Sequence, residues 1–113
     1  MTKTTKTKVA VKTEVWTMHC VWEDRHGERG NYIEVRGSKE EIDEVLRKNI
    51  EMYLIDHPLE DMDEIDGDFK RIPKTVDDAV KIAIKGGWIE FNVDSSGTNA
   101  KWEVDKHTVT VRV

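Results

Sequence analysis

The sequence predicts an α+β domain in which two helices pack on one face of a mainly antiparallel sheet of about five strands. Three observations support this prediction: period-two apolar alternation in both terminal thirds, helical apolar stripes in the middle, and a capping residue before each stripe. The expected element order is β-β-α-α-β-β-β. Helices on one side of a single sheet are the simplest way to bury both stripes.

Size and composition are typical of one soluble globular domain. The chain has 113 residues, of which 36% are charged. No apolar run approaches the length of a membrane span, and the first residues lack the apolar stretch of a secretory signal. Cys20 is the single cysteine, so an intrachain disulfide is excluded. We therefore expect a cytoplasmic protein with a disordered basic tail over 1–7 and one domain over 8–113.

The N-terminal third predicts a β-hairpin. Alternation changes parity after Val15, which predicts a β-bulge near Val15 and Trp16. A two-residue turn at 26–27 then predicts a hairpin over 16–36. In that register Ile33 lies opposite Cys20 and Val35 lies opposite Met18, on the face toward the core.

The middle of the chain predicts two helices. Ser38 and Glu41 form a capping box at the start of the first helix, which should end at His57. Thr75 can cap the second helix, and Gly86 is suited to end it. The expected buried stripes are Ile42, Val45, Leu46, Ile50, Tyr53 and Leu54 in the first helix, and Val76, Ala79, Val80 and Ala83 in the second.

An acidic segment, 59–73, lies between the helices. It is too polar for a strand to be expected there. Its possible anchors against the core are Leu59, Met62, Ile65, Phe69 and Ile72.

The C-terminal third predicts a three-stranded meander. A turn centred on 96–97 would pair Phe91 with Trp102, and a second turn is expected at 105–106. The core residues expected here are Ile89, Phe91, Val93, Ala100, Trp102 and Val104. The final segment, 108–113, is a possible edge for β-augmentation or for a homodimer.

Charge is unevenly distributed along the chain. Residues 40–68 contain twelve acidic and two basic residues, a net charge of −10, whereas the remaining eleven acidic and sixteen basic residues give +5. Such asymmetry attracts partners of opposite charge. A solvated helix face followed by an acidic loop is the simpler interpretation, and a docking surface for a basic partner is the functional one. The candidate partner-binding residues are Glu44, Glu51, Glu60, Asp61, Asp63, Glu64, Asp66 and Asp68.

No pattern typical of an active site, metal site or cofactor site is present. Cys20 and His19 point to opposite faces of the predicted strand, with His19 beside Glu34, so they cannot form a nucleophile–base pair. The other histidines, His26 and two more at 57 and 107, are expected near turns or at a helix end. The acidic segment fails the EF-hand pattern, because alignment on Gly67 puts a proline where the pattern needs glutamate. We expect neither enzyme activity nor a cofactor.

Three classes of function remain, and no family resemblance selects among them. The first is a small acidic protein that docks a basic macromolecular partner, by analogy of size and charge with inhibitors of nucleic-acid-binding proteins encoded by phages and mobile elements. The second is a nucleic-acid-binding or regulatory module that uses exposed aromatic residues and the lysine-rich N-terminus, although the net negative charge disfavours direct binding of nucleic acid. The third is an enzyme whose site has no sequence signature. We expect the first class.

Overall fold

The computed structural model describes residues 10–68, 72–93 and 97–112. Its elements in chain order are β1 (Ala10–Glu23), β2 (Arg29–Arg36), α1 (Lys39–Asp56), a 3-10 turn (Leu59–Asp61), β3 (Glu64–Gly67), α2 (Val76–Gly86), β4 (Trp88–Val93) and β5 (Thr98–Arg112).

The five strands form one antiparallel sheet with the order β2-β1-β5-β4-β3. Both helices contribute to the same buried cluster as one face of the sheet, which confirms the α+β prediction. The order of the elements along the chain differs from the predicted order in two details. One strand, β3, lies between the helices, and β5 is a single long strand where two were expected.

The N-terminal hairpin joins the C-terminal strands through the pairing of β1 with β5. Fourteen consecutive register pairs connect these strands without an inserted residue, so the predicted bulge near Val15 is wrong. The change of parity in the sequence instead marks a change in which face of the strand is apolar. Val11 and Val15 lie on the face away from the helices, opposite to the face that carries Met18 and Cys20.

The predicted turn at 105–106 is also absent, because both residues are paired within β5. Asp105 is the register partner of Thr17, and Lys106 is the partner of Trp16. The Lys106 ammonium lies 6.0 Å from the centroid of the Trp16 ring and 3.8 Å from Glu14 Oε2. These cross-strand contacts are available only to an extended chain.

Beyond the rest of the sheet, β1 and β5 continue as a two-stranded ribbon. β2 pairs with β1 only from Trp16 onward, and β4 pairs with β5 only as far as Glu103. We define the ribbon as residues 10–15 of β1 and 107–112 of β5. The C-terminal segment, which was expected to offer a free edge, is therefore paired with β1 on one side. Val113 lies outside the described residues.

The β1–β2 hairpin has a register one residue away from the predicted one. Cys20 pairs with Tyr32, and His19 pairs with Ile33. Because side chains alternate, this single step moves Ile33 and Val35 to the face away from the helices, where they are 60% and 54% exposed. Their predicted burial is wrong.

The hairpin loop explains the different register. The Asp24 carboxylate oxygen Oδ1 accepts hydrogen bonds from the backbone N–H groups of His26 and Glu28, at 2.9 and 3.0 Å. The Gly27 N–H donates to the Asp24 carbonyl, and Gly27 adopts a φ of +82°. This is a turn followed by a left-handed glycine, which is longer than the two-residue turn expected at 26–27.

Both helix starts are as predicted. The Ser38 hydroxyl accepts a hydrogen bond from the Glu41 N–H at 3.2 Å, and the Thr75 hydroxyl accepts one from the Asp78 N–H at 3.1 Å. The second helix ends one residue later than expected, because Gly87, with a φ of +92°, is its C-terminal cap.

The core lies between the helices and the inner face of the sheet. Phe91 pairs with Ala100 and Ile89 with Trp102, two residues away from the predicted register, a shift that preserves the faces. All six expected core residues of β4 and β5 are therefore buried. Of the residues expected to be buried in the helices, the fully buried ones are Ile42, Leu46, Ile50, Ala79, Val80 and Ala83, and the remaining four are half-buried against them.

The acidic segment between the helices is partly ordered by the sheet. Leu59, Met62 and Ile65 pack against the core as expected, whereas Ile72 is 66% exposed, so its predicted anchoring is wrong. Phe69 and the predicted tail over 1–7 lie outside the described residues. The expectation that this segment contains no strand is wrong, because Ile65 gives β3 one side chain to bury opposite Phe91.

Gly30 provides a test of the hairpin register. A β-carbon at this position would overlap the indole ring of its register partner, Trp22. We expect Gly30→Ala to destabilise the protein by about 1–3 kcal/mol, because the half-buried indole must move. Chemical unfolding followed by tryptophan fluorescence measures this change.

Gly37 is the matched control. A β-carbon there would have Glu41 Oε1 as its nearest neighbour at 3.9 Å, so Gly37→Ala should leave stability nearly unchanged. Equal stability of the two variants would contradict the packing of Trp22 on Gly30.

Candidate functional site

The predicted partner-binding residues lie in two separate parts of the molecule. Glu44 and Glu51 are on α1 in the helix layer, and Glu44 is 3.1 Å from the Lys48 ammonium. The other six follow α1: two lie in the 3-10 turn, two lie on β3, and Asp63 and Asp68 directly precede and follow β3. The helix carboxylates therefore belong to the helix layer, and the later ones belong to the segment that follows it and joins the sheet.

The later carboxylates gather at the β3 edge of the sheet. Ile65 packs into the core, so alternation places Glu64 and Asp66 on the opposite face. The register then sets Asp66 directly across from Glu90 of β4. Like charges at directly opposed positions destabilise a sheet, which makes this pair an unfavourable local arrangement.

We call this group of carboxylates the acidic edge, which comprises Glu60, Asp61, Asp63, Glu64, Asp66 and Glu90. Asp68 is not part of it, because its Cβ lies against Gly86 at the end of α2.

Ion pairs neutralise part of the charge of the helix layer, although Glu40, Glu51 and Asp56 of α1 form none among the described residues. Arg47 forms ion pairs with both Asp43 and Asp77, and Lys48 pairs with Glu44. Within the described ranges, five carboxylates of the acidic edge form no ion pair: Glu60, Asp61, Glu64, Asp66 and Glu90.

Lys101 is the nearest cation by register, but its contact is with an aromatic ring. It pairs with Glu90 across β4 and β5, and its ammonium lies 5.0 Å from the centroid of the Trp88 ring. Trp88 is half-buried. Among the described residues, Lys101 thus contacts the Trp88 ring and forms no ion pair with Glu90.

Glu90 was missed by the sequence analysis. The alternation of β4 already put it on the polar face, but its proximity to Asp66 depends on the pairing of β3, a strand that the sequence did not predict. An acidic residue flanked by Ile89 and Phe91 has no distinguishing feature in the sequence.

Comparison with protein-family models, with curated proteins and with solved structures finds no match for this chain. Among the described residues, none of the helices is both long and apolar enough to cross a bilayer. No group of three or more His, Cys, Asp or Glu side chains within 10–68, 72–93 and 97–112 is arranged to hold a metal ion.

The candidate nucleophile is a buried thiol, as expected. Cys20 is 4% exposed, and its register partner Tyr32 lies within hydrogen-bonding range of the sulfur. Burial raises the pKa of the Cys20 thiol to about 11, with the Tyr32 contact opposing the rise. His19 lies on the other face, where its Nδ1 is 3.9 Å from Glu103 Oε1 rather than beside Glu34.

The remaining histidines occupy three different environments. His26 is exposed in the hairpin loop, as expected, and His57 caps α1 by donating its N–H to the Tyr53 carbonyl. The expected placement of His107 near a turn is wrong, because it lies within β5 with Nε2 3.2 Å from Thr17 Oγ1. The side chain that contacts the Cys20 thiol and lowers its pKa is Tyr32 and not a histidine.

Stability should fall at alkaline pH because of the buried thiol. The pKa of Cys20 is raised from 9.0 to about 11 in the folded protein, and burial also raises the pKa of Tyr32 and Tyr53. The unfolded chain therefore loses these protons first, so stability is complete below pH 9 and declines above it. The contribution of Cys20 to this decline is on the order of 2–3 kcal/mol.

Urea unfolding at neutral and alkaline pH measures this decline, and Cys20→Ala is the informative variant. Its free energy of unfolding should fall less between pH 9 and pH 11 than that of the parent protein, because only the tyrosines remain. An identical decline in both proteins would contradict the proposed contribution of the thiol.

Proposed function

We propose that the protein is a binding protein that docks a basic macromolecular partner through the acidic edge. The observation that carries this proposal is the group of five carboxylates without an ion pair among the described residues, concentrated at one edge of the sheet. Exposed charges of one sign increase the rate of encounter with an oppositely charged surface and suppress unsuitable partners.

The acidic edge supports this role better than the helix carboxylates do. Arg47 and Lys48 already compensate part of the charge of α1, whereas the edge retains the opposed pair of Asp66 and Glu90. A partner that supplies lysine or arginine side chains would relieve this repulsion. We therefore narrow the docking surface to the acidic edge, and we assign Glu44, Glu51 and Asp68 at most a long-range contribution to it.

A protein with a basic groove, such as a nucleic-acid-binding protein, is the partner class that fits this chemistry, because carboxylates can replace phosphates there. In that case the chain acts as an inhibitor of the partner, without enzyme activity of its own. We place this activity in the cytoplasm, since its one cysteine is a buried free thiol.

A short basic peptide of alternating lysine and valine is a suitable probe. We expect NMR shift changes at residues 60–66 and 90, and weaker binding at high salt. The combined variant Glu60→Gln, Asp61→Asn, Glu64→Gln and Asp66→Asn should weaken binding by about tenfold, since four exposed charge contacts contribute roughly 0.3–0.5 kcal/mol each.

The matched control removes the same charge from the helix layer. The combined variant Glu40→Gln, Glu44→Gln, Glu51→Gln and Asp56→Asn should retain most of the affinity. Equal losses in both variants would mean that net charge alone determines binding, and no loss in the first would mean that the carboxylates only protect an open strand edge. Either result would refute the docking proposal.

Self-association through the sheet face away from the helices is a second candidate role. Several apolar side chains on this face are exposed, and three of them lie on the ribbon. These side chains are Val11, Val21, Ile33, Val35, Val109 and Val111. A second copy offers the same alternation, so two ribbons placed face to face would bury both valine rows, and isolated two-stranded ribbons are only marginally stable in water.

Val109→Lys tests this role, because it places a charge within the valine row at a 41% exposed position. We expect the variant to sediment as a monomer at concentrations where the parent protein dimerises. Thr108→Lys, on the other face of the ribbon opposite Glu14, should leave the dimer intact. A monomeric parent protein at all concentrations would exclude this role.

A further inference from the structure

A cavity of about 440 Å³ lies between the second half of α1 and the inner face of the sheet. Asn49, Met52, Tyr53 and His57 line it from the helix, and strand residues that include Cys20 and Ala100 line it from below. Small side chains on these strands leave space beneath the helix. This volume is within the range of small-molecule sites in proteins.

Aromatic rings dominate the walls of the cavity. Tyr53 and Trp102 pack edge to face with ring centroids 5.4 Å apart, and the His57 ring lies 4.7 Å from Tyr53. Trp22 and Tyr32 complete the aromatic lining from β1 and β2. The negative faces of such rings attract planar and cationic groups.

One polar atom of the lining, the Trp102 indole nitrogen Nε1, is buried without a hydrogen-bond partner among the described residues. The Tyr53 hydroxyl is also buried, with Thr98 within hydrogen-bonding range. Buried polar groups in folded proteins are nearly always hydrogen-bonded, so the indole N–H is an unfavourable feature of the cavity wall. An ammonium group cannot accept a hydrogen bond from it, so the choice of ligand rests on the aromatic rings and the charges.

The charges around the cavity indicate the sign of the ligand. Of the residues that the structure describes, Glu23 and Asp24 are the lining residues with formal charge, and no Lys or Arg among them lines the cavity. Glu23 is neutralised by Arg29, whose Nε lies 2.6 Å from Oε2. The Asp24 carboxylate accepts its hydrogen bonds from neutral backbone N–H groups and forms no ion pair among the described residues. A cation is favoured here and an anion is disfavoured.

We propose that this cavity binds a small aromatic amine, with its ring among the aromatic side chains and its ammonium group toward Asp24. The site differs from the acidic edge: it lies on the helix-covered face of the sheet, under α1, whereas Glu64, Asp66 and Glu90 lie on the opposite face. Its occupancy does not depend on the proposed docking function.

Phenethylamine and hydrocinnamate are a suitable pair of probes, because they share a phenyl ring and differ in the sign of their charge at neutral pH. We expect phenethylamine to shift the NMR signals of Trp22, Tyr53 and Trp102 and to bind about tenfold more tightly than hydrocinnamate. Equal affinity of the two probes would overturn the amine assignment. Absence of binding, or shifts confined to other regions, would overturn the site.

Met52→Arg is the informative variant, with Ile55→Arg as its matched control. Both residues are exposed positions of α1, at 70% and 77%, but only Met52 lines the cavity. Met52→Arg should weaken phenethylamine binding by about tenfold through repulsion at the cavity mouth, whereas Ile55→Arg should leave it unchanged. Circular dichroism checks that both variants are folded. Similar affinities for the two variants would refute the location of the site.

Discussion

The uninterrupted pairing of β1 with β5 is the constraint on which the remaining structure depends. Because fourteen register pairs follow one another without an inserted residue, each side chain of both strands is assigned to one face. Met18 and Cys20 thereby join Trp102 and Val104 as the floor of the core. β2 extends this sheet on one side, and β4 and β3 extend it on the other. The helices then cover one face, and no described element covers the opposite face.

Sheet register also determines which charged groups become neighbours. Asp66 and Glu90 are 24 positions apart in the sequence and directly opposed in the sheet, at a cost of a few tenths of a kcal/mol. Natural proteins depart from such local rules mainly at functional or strained sites. The aromatic cavity departs from another rule, since Trp102 contributes a buried indole N–H without a partner among the described residues. These two departures lie on opposite faces of the sheet.

The sequence predicted those features that short-range chemistry determines. Ser38 and Thr75 cap their helices through local hydrogen bonds. The residues of β4 and β5 that face the core were predicted correctly despite a register error of two residues, because such a shift preserves the face. In the hairpin, a register error of one residue assigned the side chains of β2 to the wrong face. The error arose because Gly27 suits two kinds of turn, and only the hydrogen bonds of Asp24 distinguish them. β3 was missed because its burial rests on Ile65 alone, which belongs to a sheet formed by distant strands.

The ribbon has a mechanical consequence. Ala10 and Arg112 are register partners at its tip, so a pulling force applied between these two residues acts perpendicular to the strands. Such a force loads the cross-strand hydrogen bonds one pair at a time instead of shearing them together. The strands would therefore separate sequentially from the tip at low tension, and the part of the sheet beneath the helices would be the last to open.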